Sequence, residues 1–174
     1  MTDTVRTPSP GANMIPLDGI RRQPIDDWED FLKEGHQYLA TARGGYARRR
    51  NIFTTEILYN LVAMAIEKFF MAALMFHGTL PYNHTMHDLV EAMDQTFPGA
   101  IDTMRERLLA LDRHQEICDL DTYHIDPPSM AEIADMLVLA EQVSELVTGS
   151  LPGSSRTGTV RSTPGNRDNQ QQRH

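Results

Sequence analysis

Between residues 26 and 149, apolar residues recur at helical spacing in five separate stretches. In 27–43, Trp28, Phe31, Leu32, Gly35, Leu39 and Ala42 form one stripe, as in a helix that buries a single face. Asp26, with Glu29 three residues on, predicts its N-cap, and Gly44-Gly45 predicts its stop, because consecutive glycines suit left-handed termination. A second helix is expected from about Thr54 to His77. It is apolar on nearly every side (Leu58, Leu61, Val62, Ile66, Phe69, Phe70, Leu74 among others), which marks a central helix with neighbours on several faces. Gly78 ends it and Pro81 forbids its continuation.

Thr85, with Asp88 three residues on, opens a third helix over 86–95, with Leu89, Val90 and Met93 inward. Phe97-Pro98-Gly99 breaks it. A fourth helix is expected from about Pro98 to His114, with Ile101, Met104, Leu108 and Leu111 on one face. Residues 115–128 read as a loop. Ser129 and Glu132 form a capping box for a last helix over 130–148, whose inner face is Ile133, Met136, Leu137, Ala140, Val143 and Val147. No alternating run bounded by turn residues is present, so no sheet is expected. The fold class is all-α: an antiparallel helical bundle of about five helices, its short loops implying antiparallel neighbours.

The ends differ from this core. Residues 1–25 and 150–174 are rich in Pro, Thr, Gly and Gln and lack an apolar period, so both are expected to be disordered tails. Charge divides the same way. Residues 26–149 carry 9 Lys and Arg against 21 Asp and Glu, a net of −12, whereas the tails are +1 and +3. A core this acidic repels nucleic acid except at a local basic patch. The one cysteine, Cys118, has no intrachain partner, and the start of the chain lacks the layout of a signal peptide; both point to the cytoplasm. The run 57–76 is apolar enough to suggest a membrane span, but Glu67 and Lys68 interrupt it, which favours a buried helix and no membrane.

Several short motifs fall in a telling order. Tyr38-Leu39-Ala40 lies in a first helix ending near Gly45-Tyr46. Ala65-Ile66-Glu67-Lys68 precedes an apolar run and Gly78, and a loop with Pro81 leads to His87-Asp88-Leu89. A final helix follows a loop with Tyr123 and Pro127-Pro128. Over about residues 28–148 the chain resembles the HEPN family of helical nucleotide-binding domains. The resemblance implies an antiparallel bundle, often a homodimer. Many members are metal-independent ribonucleases, including toxins paired with a small nucleotidyltransferase antitoxin; these carry Arg-x4–6-His near the start of the last helix. Others lack that motif and serve as accessory, scaffold or nucleotide-binding modules.

Arg107 and His114 fit Arg-x6-His, and an unbroken helix would put them on one face. An arginine that grips phosphate and a histidine that moves a proton are what 2′-hydroxyl attack on a phosphodiester requires. The pair lies before the loop, however, and His114 is followed by Gln115 rather than an aromatic; the plainer reading is a solvated helix face. Tyr123-His124 sits where the family motif would fall, without an arginine at the right distance. Arg48, Arg49 and Arg50, with Arg43 nearby, precede the second helix and form the one concentrated basic patch, a candidate site for a nucleotide phosphate or RNA backbone, or simply a solubilising loop.

His77, His84, His87 and Asp88 hold possible metal-ligand spacing, but the favoured role of His87 and Asp88 is structural, fixing the loop between the second and third helices. Glu67 and Lys68 are adjacent and cannot pair with each other; Glu67 is expected to be structural, with Arg105 or Arg107 as the type of partner. No metal and no cofactor are expected, since there is no Gly-rich phosphate loop, Cys-His zinc pattern or nucleophile elbow. The leading expectation is a non-catalytic HEPN-like accessory module acting with a protein partner and with a nucleotide or RNA. The alternative is a toxin-type ribonuclease paired with a nucleotidyltransferase.

Overall fold

The computed structural model describes residues 23–48, 52–114 and 127–151. It holds five α-helices: α1 (Trp28–Arg48), α2 (Thr55–Phe76), α3 (Met86–Thr96), α4 (Arg105–Leu109) and α5 (Met130–Ser150), with a 3-10 turn (Asp112–His114) after α4. No strand occurs among the described residues. The all-α expectation is met. The expected disordered tails lie outside the described residues, apart from 23–25 and Ser150-Leu151 at their inner ends, as do Arg49, Arg50, Cys118 and Tyr123-His124.

The central helix is α2. Leu58, Val62, Ala65, Ile66, Phe69, Phe70 and Leu74 have no exposed surface, and each large side chain buried this way contributes about 1.5–3 kcal/mol. Its apolar composition would suit a membrane span, yet most of that stretch is buried against other helices of the fold. Thr54 caps its start by accepting from the Ile57 N–H at 3.4 Å. At its end Gly78 takes φ 69°, and the Gly78 and Thr79 N–H groups donate to the Met75 and Leu74 carbonyls, the bond pattern of a Schellman stop. The Ser129–Glu132 capping box of α5 forms as expected.

Helix α1 lies antiparallel to α2. A Cβ at Gly35 would stand 2.8 Å from the Phe69 ring, and one at Gly45 would stand 2.9 Å from the Phe53 ring. Gly44-Gly45 therefore does not stop α1, which runs on to Arg48. Gly45 is there because the backbone must approach Phe53 and Leu58 closely, so packing decides its identity. The start of α1 differs too: the Asp27 carbonyl accepts from Asp30 and Phe31, so the helix opens after Asp27 (φ 68°) and Asp26 lies one residue outside. Helix α5 also runs antiparallel to α1, since His36 meets Ser144 and Arg43 meets Glu141.

The fourth helix is shorter than expected. Gly99 takes φ 81°, the chain turns through 98–104, and α4 holds only Arg105–Leu109. Its N-cap, Met104, has no side chain that can accept from the first turn. Ile101, Met104, Leu108 and Leu111 are all buried as the spacing requires; turns at 98–104 meet that burial as well as a helix would.

Candidate functional site

The break after α4 decides the fate of the Arg107/His114 pair. Beyond Ala110 the chain tightens into the 3-10 turn, with Leu111 donating to the Leu108 carbonyl and His114 to the Leu111 carbonyl. Arg107 stays on α4 and reaches α5, where one Nη donates to Gln142 Oε1 at 2.9 Å and the other to the Asp135 carbonyl at 3.0 Å. His114 lies instead against the Tyr59 ring, centroids 5.3 Å apart, and its Nε2 accepts from Arg113 Nε at 3.1 Å. That bond leaves the ring proton on Nδ1. The unbroken face that would have joined Arg107 to His114 does not exist.

These residues surround a small cleft between the 3-10 turn and α5, about 190 Å³ in volume. Arg107, Arg113, Glu132 and Asp135 form its rim, over a floor that includes Met136 and Leu139. Arg113 Nη2 pairs with Glu132 Oε1 at 3.1 Å, while Glu132 Oε2 takes the Ser129 N–H and hydroxyl. Those two bonds from Ser129, with Arg113 beside them, hold the Glu132 carboxyl below its usual range. Tyr59, buried beneath the turn, donates to the Leu111 carbonyl at 2.9 Å. Burial, reinforced by the nearby Asp112 charge, pushes its phenol up to about 12, so it acts only as a donor. The cleft thus offers two guanidiniums with some bonds already committed, over an apolar base, which suits binding of a small anionic group.

The other expected sites resolve differently. Arg48 is the last residue of α1, where a cation complements the helix dipole, and does not precede α2 directly. Arg43 leaves that patch and pairs with Glu141 on α5 at 3.1 Å. Glu67 pairs with His84 Nδ1 at 2.8 Å, in place of the expected arginine. Lys68 pairs with Glu34 at 2.7 Å and lies 4.2 Å from the centre of the Phe31 ring. Arg105 pairs with Asp94. The Asp88 carboxylate takes the Thr85 hydroxyl at 2.8 Å, and the His87 N–H donates to Asp112 at 3.0 Å; both contacts fix the start of α3. His77 stacks edge-on against Phe76 and Phe97. Among the described residues, no three metal-ligating side chains converge.

One cluster escaped the sequence. His36 Nδ1 lies 3.5 Å from the Ser144 hydroxyl, in a groove of about 380 Å³ between α1 and α5 that also meets Arg43, Glu141 and Glu145. The ring sits edge-on to Phe69, and burial lowers its basicity. No local signal marks this pair, because 108 positions separate its members. Compared with protein-family models, with curated proteins and with solved structures, the chain gives no match in any of the three.

Proposed function

We propose that the chain is a HEPN-like, non-catalytic binding module, acting as a homodimer with a protein partner and holding a nucleotide or RNA phosphate through its exposed arginines. The observation that carries this reading is the division of Arg107 from His114. A phosphodiester-cleaving pair needs the guanidinium and the imidazole aimed at one phosphate. Here Arg107 is held by Gln142 and the Asp135 carbonyl, while His114 is held by Arg113 and Tyr59. The same guanidiniums remain suited to gripping a phosphate without chemistry.

One observation favours the ribonuclease reading: Arg113 stands beside His114, so a cation and an imidazole do adjoin, in an order the motif did not indicate. Titration of a labelled single-stranded RNA in EDTA separates the two. Saturable anisotropy with the strand intact is the expected result. Loss of the full-length strand would overturn the non-catalytic reading, and an unchanged anisotropy would remove RNA from the ligands.

A further inference from the structure

Helix α2 is the most apolar helix of the fold, and α1, α3 and α5 pack on three of its sides. Toward its N-terminal half, one strip lies outside that packing among the described residues. Ile57 is 44% exposed and Met64 38% exposed, with Leu61 half-buried between them. The spacing i, i+4, i+7 makes a continuous stripe about 10 Å long on one face of the helix. Single exposed apolar residues need no explanation, but an aligned stripe on an otherwise buried helix does. One turn beyond Met64, the Glu67–His84 pair fastens the loop carrying Tyr82, which is 92% exposed, beside the same end of the stripe.

The rim of this stripe is acidic. Glu56 stands at one end and Glu67 at the other, and Lys68 is neutralised by Glu34 at 2.7 Å. Residues 26–149 as a whole carry a net charge of −12. An apolar stripe of this spacing with acidic edges complements a helix with apolar residues at matching intervals and basic residues on its flanks. A second copy of this chain would instead set acidic rim against acidic rim, and an anionic lipid surface would be repelled by the same carboxylates.

We propose that the Ile57–Leu61–Met64 face of α2 is a docking surface for a basic amphipathic helix of a partner protein, with the partner's lysines or arginines beside Glu56 and Glu67. This rests on the binding-module reading and gives that reading a surface and a partner chemistry. Exposed Tyr82 is the aromatic residue placed to close over one end of such a helix.

The probe is a fluorescent synthetic helix of leucine and lysine, with leucines at the matching intervals, titrated by anisotropy at physiological salt. Met64→Glu is the informative variant. It adds a negative charge, so purely electrostatic capture of the peptide would tighten, whereas docking on the stripe weakens, by about tenfold or more for a central contact. Ile57→Glu should behave alike. Val138→Glu, at an exposed apolar position on α5, should leave affinity unreduced, and circular dichroism checks that each variant is folded. A wild-type protein that fails to bind, a Met64→Glu protein that binds as well or better, or equal binding of a leucine–glutamate peptide would each overturn the proposal. RNA cleavage by the protein would remove the binding-module reading without altering what this titration measures.

Discussion

The carboxylate of Asp112 accepts the backbone N–H of His87 at 3.0 Å, and its other oxygen accepts that of Met86 at 3.2 Å. A side chain from the turn after α4 thus caps the start of α3, alongside the local Thr85 cap on Asp88. This bond ties the break in the fourth helix to the third, because a continuous helix through 112 could not direct Asp112 there. Asp112→Ala should cost about 1 kcal/mol of unfolding free energy, the usual loss for a helix cap, and Asp112→Asn should cost less because it keeps an acceptor. Urea unfolding of the three proteins measures this; unchanged stability in Asp112→Ala would show the cap to be dispensable.

The glycines of α1 make a paired test. A methyl at Gly35 would press on Phe69 at 2.8 Å, so Gly35→Ala should destabilise by about 1–3 kcal/mol through overpacking. Nothing lies within 4 Å of a methyl at Gly44, so Gly44→Ala should stabilise by about 0.5–1 kcal/mol through helix propensity. Thermal melts read both, and opposite signs are the expected outcome.

Those glycines also mark where local sequence stops being legible. Gly78 could be read as a stop because it follows the last apolar residue of its helix and precedes Thr79-Leu80-Pro81. Gly44-Gly45 carries the same local signal, but its meaning depends on Phe53 and Leu58 across the interface. The caps at Thr85 and Ser129 were legible because donor and acceptor lie three residues apart. The Asp112 cap, the His36–Ser144 contact and the Glu67–His84 pair join distant segments, so only the folded chain reveals them. The fourth helix was overextended because its apolar spacing is met equally by turns.

Stability should fall as the solution is acidified, in two steps. His36 has a lowered basicity in the fold, so below its usual value of 6.5 the unfolded chain takes up the proton first. Its contribution is therefore full above 6.5 and is lost as the pH falls through the lowered folded value. Glu132, held below its usual 4.5, loses its contribution in the same direction at lower pH. Urea midpoints measured across this range should decline less steeply just below 6.5 in His36→Gln. An identical slope would place His36 outside the linkage.

Tyr59 joins α2 to the 3-10 turn through its hydroxyl on the Leu111 carbonyl. Tyr59→Phe keeps the buried ring and removes that bond, with an expected cost of about 1 kcal/mol. Because His114 packs on the Tyr59 ring, Tyr59→Ala should also shift the His114 ring resonances in an NMR spectrum, whereas Tyr59→Phe should leave them nearly in place.

The most direct measurement is metal-free cleavage of a labelled single-stranded RNA by the wild-type protein beside folded Arg107→Ala and His114→Ala. With Arg107 committed to α5 and His114 to Arg113 and Tyr59, all three should leave the strand intact. Cleavage by the wild type that disappears in both variants would contradict the non-catalytic reading and make the two residues a working pair.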